Sequence, residues 1–141
     1  RHTRLQGDWS SDVCSSDLIE NYHDLANDQT MLIVLLEDII AVENLDSILE
    51  VDHIDVFMVP SGALAQSMGL PGQANHPDVQ NVVDETMRRI SKKGKITGAI
   101  ANKDNVKNLY DNGARFFLCD PRPYMTEGFS KYQEFAKRNI K

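Results

Sequence analysis

The chain has 141 residues, with 15 Lys and Arg against 21 Asp and Glu, a net charge of −6, and 41% hydrophobic residues. That length supports one domain with its own core. An acidic balance argues against nucleic acid as the main partner, and the longest apolar stretch, residues 31–36, falls far short of the roughly 20 residues that cross a bilayer.

Residues 1–18, RHTRLQGDWSSDVCSSDL, show no helical or strand period and crowd Ser and Asp around the only Trp. They have no apolar central region, which excludes a secretory signal. DWSSDVCSSDL matches the translation of a common short-read sequencing adapter, and Arg1-His2-Thr3-Arg4 matches its outer part. Residues 1–18 are therefore read as a translated adapter, expected to be disordered or non-native, and set aside from the fold. Cys14 falls within that segment, and with Cys119 it makes neither a disulfide framework nor a zinc cluster.

From residue 19 the elements follow in order. Residues 19–27 read as the end of a helix. Residues 31–37, MLIVLLE, join six apolar residues to one carboxylate and suit a strand buried on both faces. Val42, Leu45, Ile48 and Leu49 recur at helical spacing. Residues 54–59 read as a second buried strand stopped by Pro60. Residues 61–75 carry Gly62, Gly69, Pro71 and Gly72 and read as a long loop with one helical turn at residues 63–68. His76-Pro77 opens a helix with the apolar stripe Val79, Val82, Val83, Met87 and Ile90, ended by Gly94. Residues 96–101 are a third strand. Val106, Leu109 and Tyr110 mark a short helix ended by Gly113, and residues 115–119 are a fourth strand. Tyr132, Phe135 and Ala136 anchor a last helix.

Strands alternating with helices predict an α/β fold with a parallel sheet. Two architectures fit, a doubly wound open sheet or part of a (β/α)8 barrel, and either places the site at the C-terminal strand ends. Glu37, directly after the first strand, is positioned to hold a hard divalent cation, or equally to favour a helix N-terminus as a plain acid. Pro60-Ser61-Gly62 reads as a backbone anion cradle or as an ordinary turn. Cys119 reads as a small buried hydrophobe, Asp120-Pro121-Arg122-Pro123 as a rigid loop, and Arg88, Arg89, Lys92, Lys93 and Lys95 as a solvated helix face.

LLEDIIAVENLDSILEVDHIDVFMVPSGALAQSMGLPGQANHPDVQ resembles the HpcH/HpaI aldolase family, with "AVENLDSIL", "LAQSMG" and "HPDVQ" in family order. The GKITGAIA and NGARFFL strands extend the likeness to the last helix. The resemblance implies the C-terminal half of a (β/α)8 TIM barrel, strands five to eight, over residues 19–141. It implies a metal-dependent class II pyruvate aldolase, a cytoplasmic carbon–carbon lyase. Such enzymes cleave 4-hydroxy-2-oxo acids or 2-keto-3-deoxy sugar acids to pyruvate and an aldehyde through a metal-stabilised enolate.

It further implies a divalent metal (Mg2+, Mn2+ or Co2+) at Glu37, and 2-oxo acid carboxylate binding at Pro60, Ser61 and Gly62. A homo-oligomer is implied for the full-length protein, with no nucleic-acid or membrane partner. The family's catalytic His and Arg fall in the other half, so this stretch alone is expected to be inactive. One departure stands out. The family's Gly-Pro-x-Asp-Leu reads Val59-Pro60-Ser61-Gly62-Ala63-Leu64 here, without the second metal-ligand Asp and with one residue inserted. A citrate lyase beta or malyl-CoA lyase-like fragment, and a non-catalytic barrel homologue, are the alternatives.

Overall fold

The computed structural model describes residues 21–140. The segment read as a translated adapter lies outside them. The chain divides into two units, Arg1–Met31 and Leu32–Lys141. In the first, the described element is helix α1, Tyr22–Gln29. It follows Asn21 at φ 62°, a left-handed conformation that Asn tolerates better than most residues.

The second unit holds β1 Ile33–Leu35, α2 Ile39–Glu43, α3 Leu45–Leu49, β2 Val56–Met58, α4 Ser61–Ser67 and α5 Pro77–Lys92. These are followed by β3 Ile96–Ala101, α6 Val106–Asp111, β4 Ala114–Cys119 and α7 Arg122–Asn139. The strands form one parallel sheet in the order β1-β2-β3-β4. Each strand pairs with its successor, and the order never reverses. A doubly wound sheet reverses at its switch point, whereas one continuous sense of winding builds the arc of a barrel.

Phe57 and Val59 of the β2 segment, Ala99 and Ala101 of β3, and Ala114 of β4 pack under the helices. Leu45, Leu64, Val79, Met87 and Ile90 meet them there, all essentially inaccessible to solvent. Burying each large side chain of this set contributes about 1.5–3 kcal/mol. The α5 stripe is buried as its spacing predicts except for Val82, which is partly covered, and Thr86 joins it by donating its hydroxyl to the Val82 carbonyl at 2.7 Å. The start of α5 follows the sequence: His76 caps it, its Nδ1 accepting the Asp78 N–H at 3.2 Å, and Pro77 takes the first turn.

The opposite face is open. Leu35, Ile96, Ile100 and Leu118 are each about half exposed, 47–52%. Residues 31–37 therefore do not form a strand buried on both faces. The strand is three residues long, and only its helix-side neighbours are covered. Val56 and Met58 are the buried part of this face, because with Phe116 they close over Gly98. A Cβ on Gly98 would stand 2.8 Å from Met58 Cγ and 2.9 Å from Val56 Cγ1.

Three elements differ from the sequence reading. The helical turn expected at residues 63–68 is a seven-residue helix, Ser61–Ser67, that starts two residues earlier, since Gly62 sits in the first turn, where the helix asks least of a residue. Val42 to Leu49 splits at Asn44 into two short helices. The last helix starts at Arg122, so Arg122 and Pro123 form its first turn instead of a rigid loop; proline costs no hydrogen bond there. Its aromatic residues are exposed, Phe129 at 63% and Tyr132 at 68%, so Tyr132 and Phe135 anchor it to nothing described. Cys119 is also exposed rather than buried.

Among the described residues no helix is long and apolar enough to cross a membrane.

Candidate site at the strand ends

The register Leu35↔Met58 sets the ends of β1 and β2 side by side, about 4.8 Å apart in a sheet. The chain leaves β1 through Leu36, whose N–H donates to the Met58 carbonyl at 2.8 Å. Glu37 follows, exposed and making no side-chain hydrogen bond among the described residues. The helix-capping alternative weighed for Glu37 belongs to its neighbour. Asp38 accepts from the Ile40 N–H at 2.8 Å and from the Ser67 hydroxyl at 3.1 Å. The Ser67 oxygen in turn accepts from the Ile39 N–H at 2.9 Å, tying α2 to α4.

At the β2 end, Pro60 is buried and precedes the first turn of α4, which holds Ser61, Gly62 and Ala63. The N–H groups of a first turn have no intrahelical acceptor, and the space beside the Gly62 Cα is open. The structure thus brings Glu37, Pro60, Ser61 and Gly62 to one end of two paired strands.

Beyond β3, Asn102 and Asn105 cap each other. Asn102 Oδ1 accepts from the Asp104 and Asn105 N–H groups at 2.8 and 3.1 Å, and Asn105 Oδ1 accepts from the Asn102 N–H at 2.7 Å. The Tyr124 hydroxyl accepts the Lys103 N–H at 3.1 Å, pinning the first turn of α7 against this loop. A cleft of about 360 Å3 opens there, lined by Lys103, Asp104, Asp120, Tyr124 and Glu127. Beyond β4, Arg122 grips Asp120 with Nε at 2.9 Å and Nη2 at 2.6 Å. The guanidinium holds the Asp120 carboxyl below its usual range, and the carboxylate raises Arg122.

Ser61 also lines a cavity of about 100 Å3 with Asn75, Gln80, Asn105 and Asn108. This cluster of neutral amides was not anticipated. Part of its signal was present in the spacing of Asn105 and Asn108, three residues apart at the start of α6 and hence on one side of that helix.

The donor set does not fit the two-carboxylate metal site that the family resemblance implies. Glu37 is in place, but residues 60–63 carry no acid. Among the described residues no three His, Cys, Asp or Glu side chains converge on a point where an ion could sit.

Residues 4–118 match the family described as HpcH/HpaI aldolase/citrate lyase. That range opens inside the segment read as a translated adapter. The chain is 46% identical over 83 residues to a 2-keto-3-deoxy-L-rhamnonate aldolase of Klebsiella pneumoniae, covering 59% of this chain and 31% of that protein. It is 39% identical over 99 residues to a hydroxypyruvate/pyruvate aldolase of Roseobacter denitrificans, covering 70% and 39%. A solved HpcH/HpaI aldolase/citrate lyase family protein from Burkholderia cenocepacia superposes with a TM-score of 0.74 at 21% identity, over 84% of this chain and 47% of that one. The chain thus spans about a third of the length of these curated relatives and about half of the solved fold. A family match over most of the chain, residues 4–118, places it among the HpcH/HpaI aldolase/citrate lyase proteins.

Proposed function

We propose that this chain is the strand-five-to-eight part of a pyruvate aldolase, a carbon–carbon lyase acting on 4-hydroxy-2-oxo acids or 2-keto-3-deoxy sugar acids. The observation that carries the reading is Glu37 just beyond β1, beside the open first turn of α4, in a chain 46% identical over 83 residues to a 2-keto-3-deoxy-L-rhamnonate aldolase. In such a cleavage the C3–C4 bond breaks. Its electrons move toward the C2 carbonyl to give the pyruvate enolate, and the C4 hydroxyl loses its proton as the aldehyde leaves. The Ser61 and Gly62 N–H groups would hold the substrate carboxylate, with Pro60 fixing the turn that presents them. Glu37 would face the C1–C2 end. In this class a divalent cation (Mg2+, Mn2+ or Co2+) would supply positive charge at the C2 carbonyl. The group that takes the hydroxyl proton is assigned to the part of the barrel outside this stretch. The full-length enzyme would be a cytoplasmic homo-oligomer.

The test is pyruvate release, followed by coupled reduction to lactate with Mn2+ present, from a full-length barrel carrying this stretch. Turnover of either substrate class is expected. No pyruvate from both classes overturns the reading. The missing acid at residues 60–63 favours a second reading, a non-catalytic homologue, which predicts that failure. Cleavage of an acyl-CoA substrate instead would assign the chain to the citrate lyase side of the family.

A further inference from the structure

We infer that Glu37 holds no resident divalent cation in this chain, because every other acid near the strand ends is either committed elsewhere or out of reach. Mg2+ and Mn2+ are hard ions that need several oxygen donors, and affinity follows the number of charged ones.

Asp38 is the nearest acid in sequence, but its carboxylate caps α2 and accepts the Ser67 hydroxyl. Turning it toward Glu37 would unmake both bonds, the tie to Ser67 of α4 among them. Asp120 is clasped by the Arg122 guanidinium. Glu127 is paired with Lys131 at 2.6 Å. Asp104 follows β3, which β2 separates from β1, so it stands about two strand spacings, roughly 10 Å, from the β1 end. At the adjacent β2 end, where an acid would complete the site, stand Ser61, Gly62 and Ala63. One exposed carboxylate remains, and in water it binds a divalent ion weakly.

The inference concerns binding without substrate, so it stands or falls apart from the aldolase reading. The experiment is a Mn2+ titration of the whole chain followed by electron paramagnetic resonance, beside the variants Gly62→Asp and Ala63→Asp. An acid in the first turn of a helix is favoured by the helix dipole, and the Gly62 position is open, so both variants are expected to fold. The unaltered chain is expected to bind only in the millimolar range. At least one variant should tighten binding by on the order of tenfold or more, and adding Glu37→Gln to that variant should remove the gain. Micromolar binding by the unaltered chain overturns the inference. So does a failure of both variants to tighten binding, or a gain that survives Glu37→Gln.

Discussion

The two faces of the sheet are built from the same kinds of residue and have different fates. Phe57 on β2 and Ala99 on β3 lie under the helices and are lost to solvent. Leu35, Ile100 and Leu118 alternate with them along the strands, are as apolar, and stay half exposed. Local sequence sets the strands, and the crossover helices set one face. The other face depends on what is packed against it, which no strand pattern encodes. Helices α5 and α7 repeat the contrast. Both carry an apolar stripe, yet Met87 and Ile90 are buried while Phe129 and Phe135 are exposed.

The sharpest way to break that comparison is to truncate one residue on each face. Phe57→Ala should cost about 3–5 kcal/mol, because it empties a fully enclosed site. Leu35→Ser should cost less than about 0.5 kcal/mol, as substitutions at solvated positions do. Urea denaturation of both variants decides it. Equal losses would mean that the open face is covered in solution.

The same logic explains what could be read from the sequence. Residues 96–101 were legible to the residue, because Gly94 and Asn102 bound a short run of small and β-branched side chains. Helix α5 was legible from His76-Pro77 and its stripe. Glu37 does stand past β1, since its charge ends the apolar run there. Helix α4 was legible only as a single turn, and its start was missed. Gly62 and Pro60 carry turn signals, yet a helix tolerates both at its N-terminal end. The exposure of Leu35, Tyr132 and Cys119 was beyond the sequence, because burial belongs to the neighbour and not to the residue. The committed state of Asp38 was also hidden, since Ser67 lies 29 positions away.

A second substitution sharpens the comparison within the open face. Gly98 is its one tightly closed spot, where Val56, Met58 and Phe116 meet over a missing side chain. Gly98→Ala adds a methyl at distances no real Cβ keeps, so one of the three must move. Overpacking of this kind costs about 1–3 kcal/mol, which a thermal melt resolves. A neutral outcome would show that these three side chains have slack, and that the open face is loose throughout.

The smallest effect belongs to the pair at the end of β4. The Arg122 guanidinium holds the Asp120 carboxyl below its ordinary value of 3.8. A carboxylate held low in the folded state contributes stability above its unfolded value. That contribution is lost as pH falls from about 3.8 through the lower folded value. The pair is exposed, so solvent and salt screen it strongly, and the loss on acidification should be slight beside the effect of Phe57→Ala. Arg122→Ala removes the hydrogen bonds and the charge together, so the Asp120 carboxyl should titrate higher, back toward 3.8. Carboxyl-carbon NMR across that range reads the shift directly. Because Asp120 ends a strand whose side chains lie open at Leu118 and Cys119, an unchanged titration would mean that the clasp is not kept in solution. The β4 end would then be free to present Asp120 to the cleft it shares with Lys103 and Tyr124.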